Sequence, residues 1–482
     1  VRVAIIGGGI SGLSAAHTRE QARRNGVDVE YVLFEATERL GGALRTEMVE
    51  GCVVEAGPDS FLTEKDWALD FCRQLGLGDQ LISSQDAQRK SYILVRGRLV
   101  PIPDGLQFMV PTRILPVLFT PLFSWSTKLR MAREYFYRPN SPHRDETVAA
   151  MVERHFGPEV VERLADPLLS GVYGGDVARL SARAVLPRFV QMEAKYGSFS
   201  RGMLAARRRQ SAKAATPPPL FTTLRDGMQR IADTIVAQLQ PGSVRTSAAV
   251  RELALADGQW IVVPQHAAPE RFHHVIVALS APTAGAMLEK LSPELARELQ
   301  GIAYSSSVTV TLGYNRSDLA ALPAGFGFLV PHSEGKRMLA CTFVHNKFPH
   351  RGNQEIGLIR CFLGGTRDEA ILDASDQEIL RVVKEELRET VKLQAVPRFE
   401  RVYRWRGAMA QYETGHLERI ARIDRLRTQL PGLALAGNAY RGIGVPDCIA
   451  SGIAAADMVL QQMAPQARAQ RSQDATTPQV PG

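Results

Sequence analysis

The chain has 482 residues, 45% of them hydrophobic and 22% charged, with a formal net charge of +8. This composition excludes an intrinsically disordered protein, and the length exceeds what one core ordinarily serves, so two or three interleaved domains are expected. The positive balance suits nucleic acid, an anionic substrate or an anionic membrane surface; with no basic helix or interleaved aromatic motif, nucleic acid is set aside.

The apolar run Val3–Ile6 leads into Gly7-Gly8-Gly9-Ile10-Ser11-Gly12, and Leu13-Ser14-Ala15-Ala16 opens a helix behind it. Strand, G-x-G-x-x-G and helix in that order make a dinucleotide site. Gly7 permits the tight turn, Gly9 lets the backbone approach a pyrophosphate, and Gly12 lets helix and strand pack closely. A second apolar run over 29–34 ends on Glu35, placed to accept the ribose hydroxyls of an adenosine half. Because the cofactor strand opens at the first residues, no signal or transit peptide is expected.

Residues 35–46 add a second phosphate-facing turn, in which Arg39 neutralises the pyrophosphate and Gly41-Gly42 allow close approach. Arg39 alone reads equally well as a solvated charge. The extra turn argues for FAD over NAD, and no His–Cys motif suggests a covalent link to it.

Further along, 85–210 is expected to be a mainly helical domain, with helices near 146–156 and 158–164. Its apolar stretch Phe108–Trp125 is interrupted by Pro111, Arg113, Pro116 and Pro121, which break a helix into short pieces. Buried core, a substrate wall and a peripheral membrane patch all suit it; a membrane span does not. The basic run Arg207–Lys213 and Pro217–Pro219 read as a solvated loop. Cofactor-domain segments are expected at 1–84, 220–285 and 405–463, around a β-rich domain at 286–404 that carries an amphipathic helix over Asp376–Leu393. Residues 464–482 are expected to be a disordered tail. The five cysteines form no C-x-x-C pair and the ten histidines no metal-binding spacing, so reduced, mostly buried thiols and no metal site are expected.

Near the C-terminus, 433–447 reads as strand, glycine turn and helix, with Asp447 placed for a ribityl hydroxyl or a phosphate-bound water. Three stretches then carry a resemblance: Glu55–Phe61, Asp166–Asp176 and Ala436–Cys448. Together they resemble the protoporphyrinogen oxidases, within the flavoproteins that include amine oxidases and phytoene desaturases. The resemblance spans residues 1 to about 463. It implies an α/β (overall α+β) protein with a Rossmann-type FAD-binding domain, an inserted mixed β-sheet substrate domain and a helical, membrane-associating or soluble domain.

The same resemblance implies oxygen-using, six-electron oxidation of protoporphyrinogen IX to protoporphyrin IX, with hydrogen peroxide as by-product. Gly171 would hold the substrate against the flavin, with no acid or base assigned. Leu329, Thr342, Phe343 and Phe362 would form walls, and Gly57, Pro58, Asp59, Ser60, Val250, Trp405, Ile443, Gly444 and Val445 would join the cofactor site. Ser91 stands where eukaryotic members place a propionate-binding arginine; Arg89, Lys90, Arg96 and Arg98 are the substitutes nearby. That departure keeps coproporphyrinogen III open as substrate. An amine oxidase, a carotenoid desaturase and a catalytically silent flavin-binding protein are the remaining readings. The expected location is cytoplasmic, with peripheral contact at the cytoplasmic face of a membrane and homodimerisation both left open.

Overall fold

The computed structural model describes residues 1–139, 144–211 and 219–474. The N-terminal pattern becomes the centre of a five-stranded parallel sheet. Arg2–Ile6 lies between Glu30–Phe34 and His274–Val277, with Val244–Arg245 and Leu433–Leu435 at the edges. Val3, Ala4 and Ile5 are buried, as expected of a parallel strand covered on both faces. The five strands come from three well-separated stretches of chain. The first helix, Ile10–Arg24, packs against the last, Val445–Asp474, and the two approach at a glycine. A Cβ on Gly452 would sit 2.0 Å from the carbonyl oxygen of Ser11, so only glycine fits there.

A second, seven-stranded sheet is mixed. Its order is Phe399–Ala410, Tyr304–Asn315, Ile356–Gly364, Met338–Phe343, Gly327–Leu329, Ser91–Val95 and Arg98–Pro101. Every pairing is antiparallel except that of Gly327–Leu329 with Ser91–Val95. The helix Asp376–Val391 covers one face through Ile379, Val382, Val383 and Leu387.

Two expectations change here. The stretch from 85 onward is not helical at its start: residues 91–101 form a hairpin on the sheet, with Leu94 packed toward the covering helix and Ile93 toward the helical region. The strand Phe399–Ala410 also runs unbroken past 404–405, because Arg404 and Trp405 keep pairing with Val308 and Ser307.

The helical region includes Trp125–Glu134, Val148–Phe156, Asp166–Tyr173, Pro187–Tyr196 and Phe199–Ser211. A widened, π-type turn at Val161–Ala165 runs into Asp166–Tyr173, where Pro167 has no N–H to give to the preceding turn. Arg207–Ser211 continue a helix instead of opening a loop, while 212–218 lie outside the described residues. The last helix is described as far as Asp474, within the stretch expected to be a tail; Ala, Gln and Arg are strong helix formers. Residues 475–482 lie outside the described residues.

The apolar stretch splits in two. Ile114–Phe119 is a short helix whose outer side is bare: Ile114 is 80% exposed, Phe119 77% and the nearby Trp125 70%, whereas Phe123 is only 4% exposed. Among the described residues no helix is long and apolar enough to cross a membrane. Four of the five cysteines are buried, and Cys341 and Cys361 face each other across paired strands.

Candidate active site

Two glycine turns lie side by side beyond the end of the first strand. The Gly7 N–H donates to the Phe34 carbonyl at 2.8 Å, and the Gly41 N–H donates to the Gly8 carbonyl at 2.8 Å. Gly7 has φ +106°, a conformation that favours glycine. A Cβ on Gly12 would lie 1.9 Å from the Gly7 oxygen, so strand and helix meet with no space for a side chain. Gly9 is different: nothing lies within 4 Å of where its Cβ would be. It opens the first helix with no side-chain cap and no acid in the first turn. Ile10 and Ser11 therefore begin a helix whose N–H groups and dipole are free to meet an anion. An open glycine at an uncapped helix start fits a pyrophosphate.

Glu35 fastens this region. Its carboxylate accepts from the Gly8 N–H at 2.7 Å, the Thr37 N–H at 2.9 Å and the Thr37 hydroxyl at 2.8 Å. The chain leading to Val250 runs alongside, with the Ala248 N–H donating to the Glu35 carbonyl at 2.8 Å. Arg39 is no solvated charge: its guanidinium donates to the carbonyls of Leu40 at 2.9 Å, Leu44 at 2.8 Å and Gly42. Burial, then the neighbouring Arg45, holds its pKa below the ordinary value. It clasps the Gly41-Gly42 turn.

The turn Glu55–Phe61 rests on buried cations. Arg360 donates to the carbonyls of Ala56, at 3.3 Å, and Gly57. Arg351 donates to the Asp59 carbonyl at 3.3 Å, and Lys347 to the Ser60 hydroxyl at 3.1 Å. Burial would push the Asp59 carboxyl up, but Lys347 and Arg360 outweigh it and hold it well below the usual carboxylate range. On the other side, the Trp405 indole N–H donates to the Ala56 carbonyl at 3.0 Å, and a Cβ on Gly57 would lie 3.5 Å from its ring. Trp405 thus lies on this turn. Across from it, Ile443 and Gly444 precede Val445, the first residue of the last helix. Asp447 is held by Lys65 at 2.5 and 2.6 Å and by the Gly444 N–H at 3.2 Å. Its carboxylate secures the glycine turn.

Strand pairing sets out the face of the mixed sheet that lies away from the covering helix, buried at Ala340, Thr309 and Tyr403 and half-buried at Leu329, Thr342 and Phe362. Leu329 pairs with Ala340, Ala340 with Phe362, Phe362 with Thr309, and Thr309 with Tyr403. Cross-strand partners share a face, so this row runs from Leu329 toward Trp405, opposite Ser307. The adjoining row holds Gly327, Thr342, Arg360 and Thr311. Phe343 does not belong here. Side chains alternate along a strand, so the neighbour of Thr342 points the other way. Phe343 is fully buried against the covering helix side, 6.1 Å from the ring of Phe328, and is not a wall.

The helix Asp166–Tyr173 stands over Leu329. A Cβ on Gly171 would lie 3.6 Å from Leu329 Cδ2, with nothing else within 4 Å. Gly171 does not have a positive φ; that conformation falls at Gly174, the helix C-cap. Ser305 and Gln411 donate to the Tyr173 carbonyl at 3.2 and 2.7 Å. Arg367 spans the whole segment, reaching Asp166 at 2.7 Å and Asp176 at 3.1 Å. Gly171 is held from both ends.

Ser91 begins the strand opposite Gly327, half-buried at the far edge. Arg89 beside it is exposed, 3.9 Å from Asp86, and Lys90, Arg96 and Arg98 are exposed as well. Sequence reasoning missed Lys347, Arg351, Arg360 and Arg367. One signal was there to find: Arg360 is the lone charge inside the otherwise apolar strand Ile356–Gly364.

Residues 10–460 match the family described as flavin containing amine oxidoreductase. The chain belongs to that family. It is 34% identical over 457 residues to a coproporphyrinogen III oxidase of Bacillus subtilis (strain 168), covering 94% of this chain and 96% of the relative. It is 27% identical over 492 residues to the chloroplastic/mitochondrial protoporphyrinogen oxidase 2 of Arabidopsis thaliana, covering 96% and 94%. Among solved structures, one described as a putative protoporphyrinogen oxidase from Exiguobacterium sp. 255-15 superposes with a TM-score of 0.85 at 29% identity, covering 95% of this chain and 98% of that one.

Proposed function

We propose that this chain is an FAD-dependent, oxygen-using oxidase of porphyrinogens in haem biosynthesis, and that it converts coproporphyrinogen III to coproporphyrin III. The observation that carries this reading is the 34% identity, over almost the whole of both chains, with the coproporphyrinogen III oxidase of Bacillus subtilis. It reverses the order of preference taken from the motifs. Protoporphyrinogen IX becomes the second choice, since the plant protoporphyrinogen oxidase is the more distant relative at 27%.

The turns at Gly7–Gly12 and Gly41-Gly42, with Glu35, Arg39 and Val250, would hold the adenosine and pyrophosphate of FAD. Gly57–Ser60, Trp405 and Ile443–Val445 would hold the rest of it, without a covalent bond. When bound, FAD supplies a hydride acceptor that oxygen restores with release of hydrogen peroxide. The chain's own part is positioning. Leu329, Ala340 and Phe362 offer an apolar floor to a flat macrocycle, and Thr342 borders it. Gly171 keeps the roof thin above Leu329, and Arg367 fixes the helix that carries it. No side chain is assigned a proton-transfer step. Arg89 and Lys90, exposed beside Ser91, are cations near one end of this strand for the carboxylates of coproporphyrinogen, while Arg96 and Arg98 lie at the hairpin turn at its other end. Pairing of Arg89 and Lys90 with anions favours the more highly charged substrate.

A second role follows from the bare ridge of Ile114, Leu115, Phe119, Trp125 and Leu129, bordered by Arg113, Lys128 and Arg130. Apolar side chains ringed by cations suit peripheral contact with an anionic membrane, which in the cytoplasm is the inner face. The same ridge would serve a homodimer, and the two differ in what they bind.

The substrate test is direct. The purified protein is supplied in air with coproporphyrinogen III or protoporphyrinogen IX at equal concentration, and porphyrin fluorescence is followed. The proposal predicts a faster rise with coproporphyrinogen. A faster rise with protoporphyrinogen reverses the substrate order, and no rise with either leaves an amine oxidase, a carotenoid desaturase or a catalytically silent flavoprotein.

A further inference from the structure

The helix Trp125–Glu134 buries one side and bares the other. Thr127, Met131 and Glu134 point inward, while Trp125, Leu129 and Arg133 follow one another along the outer face, with Phe136 just beyond the helix end. Phe136 is 77% exposed. It is also a wall of an open cavity of about 450 Å³, which it shares with Tyr137, Arg133, Arg138, Arg154 and Glu193. The apolar stripe thus runs straight into a cationic hollow.

The walls are fastened. Gly197 has φ +72°, and a Cβ there would lie 2.1 Å from the carbonyl carbon of Arg138, so only glycine lets the two segments close together. Arg201 clasps both sides by donating to the carbonyls of Tyr137 and Tyr196. The carboxylates at the floor are already engaged. Arg154 donates to Glu193 at 3.1 Å and to Glu146 at 2.5 Å. Glu134, buried beneath, lies 3.1 Å from His155 and accepts from the Ser198 hydroxyl at 2.9 Å and the Ser200 N–H at 3.3 Å. Arg133 and Arg138 are exposed, and among the described residues their guanidinium groups have no hydrogen-bond or ion-pair partner. The lining therefore carries three positive charges against one negative, and two of the three are free.

Two free guanidinium groups beside one hollow suit an oxyanion that accepts several hydrogen bonds, as a phosphate does. Free phosphate would leave Trp125, Leu129 and Phe136 in water; a phospholipid uses the hollow and the stripe together. A zwitterionic headgroup brings its own ammonium to the arginines, whereas an anionic one does not. The negative end of the helix at Glu134 opposes the anion, but it is equivalent to about half an elementary charge, less than either free arginine. We propose that this hollow binds the phosphate of an anionic phospholipid through Arg133 and Arg138, with the acyl chains laid along Trp125, Leu129 and Phe136. The site rests on the membrane contact proposed above and gives that contact a lipid preference; it does not depend on which porphyrinogen is oxidised.

Dihexanoylphosphatidylglycerol below its micelle concentration is the probe, because a lipid monomer reports a site and not the field of a charged bilayer. The melting temperature of the FAD-loaded protein should rise saturably with it, and neither dihexanoylphosphatidylcholine nor inorganic phosphate should match it at equal concentration. Arg133→Gln with Arg138→Gln should weaken the apparent affinity about tenfold or more. Arg113→Gln with Arg130→Gln removes the same charge outside the hollow and should leave it unchanged. An equal loss in both pairs overturns the site in favour of diffuse charge, and an equal response to inorganic phosphate assigns it to the free ion. Flotation with phosphatidylglycerol vesicles separates the remaining outcomes. A protein that floats but does not answer the monomer overturns the site and leaves the membrane contact standing; a protein that does not float overturns both.

Discussion

Gly171 and Leu329 face each other across the seam between the helical region and the mixed sheet: a Cβ on Gly171 would make ordinary contact with Leu329 Cδ2 at 3.6 Å and meet nothing else within 4 Å. Gly171 lies inside a helix at ordinary φ, so alanine there gains helix propensity, about 1 kcal/mol. Gly171→Ala should therefore melt at or above the wild-type temperature. Gly171→Val should still fold and keep its flavin, but its branches project toward the sheet around Leu329. A displacement of about 1 Å at a reacting centre costs on the order of a hundredfold in rate. Porphyrinogen turnover and melting temperature, measured on both variants, check this. Normal turnover by Gly171→Val would remove Gly171 from the site.

Glu35 is the second test. Three hydrogen bonds end on its carboxylate, and they join the first glycine turn to the Thr37 turn. Hydrogen bonds to a charged group are worth about 1.5–3 kcal/mol each. Glu35→Ala should lower FAD affinity at least tenfold, read by fluorescence titration of the flavin-free protein. An unchanged affinity would mean that the carboxylate serves the turns alone.

The apolar ridge separates surface from core within five residues. Phe119 is exposed and Phe123 buried, so the two serines act differently. Phe119→Ser with Trp125→Ser should release the protein from anionic liposomes in a flotation assay with little change in melting temperature. Phe123→Ser should cost several kcal/mol, since removing a buried phenylalanine typically costs about 3–5 kcal/mol. If Phe119→Ser and Trp125→Ser instead abolish self-association without touching liposome binding, the ridge is a dimer interface.

Stability should depend on pH through His155. The imidazole is fully buried, 3.1 Å from Glu134 and 3.5 Å from Glu193, and stacks on Phe199 at 3.8 Å. Burial lowers its pKa, but the two carboxylates outweigh it and leave the value raised. Burial likewise works against Glu193, yet His155 and Arg154 bring it down to about 2; Glu134 is lowered too. A raised histidine contributes fully below its unfolded value of about 6.5, and that contribution is lost as pH rises through the folded value. The lowered carboxylates contribute above about 4.5 and lose their share as pH falls. Melting temperature should therefore plateau between about pH 4.5 and 6.5 and decline on the alkaline side. In His155→Gln that alkaline decline should shrink; an identical decline in both proteins would assign it elsewhere.

The parallel sheet and its glycine turns were legible because their signals are local. Gly7 to Gly12, Glu35 and the Val445 helix start are each read within a dozen residues, and the turn chemistry is dictated by the backbone. The mixed sheet depends on distant pairing. Ser91–Val95 joins the mixed sheet through Gly327–Leu329, more than 230 residues away, and nothing in its own sequence tells of that partner. Phe343 was misplaced because taking it with Thr342 as a wall ignored the alternation of a strand. The cations beneath the Glu55–Ser60 turn come from Lys347, Arg351 and Arg360, whose convergence on Asp59 is a product of the fold. Composition placed the positive charge in the chain without saying that part of it is buried.

The central claim is that coproporphyrinogen III delivers its electrons to a flavin held by this chain. It is tested most directly by adding coproporphyrinogen III to the FAD-loaded protein in the strict absence of oxygen and recording the visible absorbance. The account predicts that the oxidised flavin bands bleach, and that admitting air restores them while porphyrin fluorescence grows and hydrogen peroxide accumulates. Flavin that stays oxidised through the anaerobic phase, with protoporphyrinogen IX as well as with coproporphyrinogen III, would contradict it.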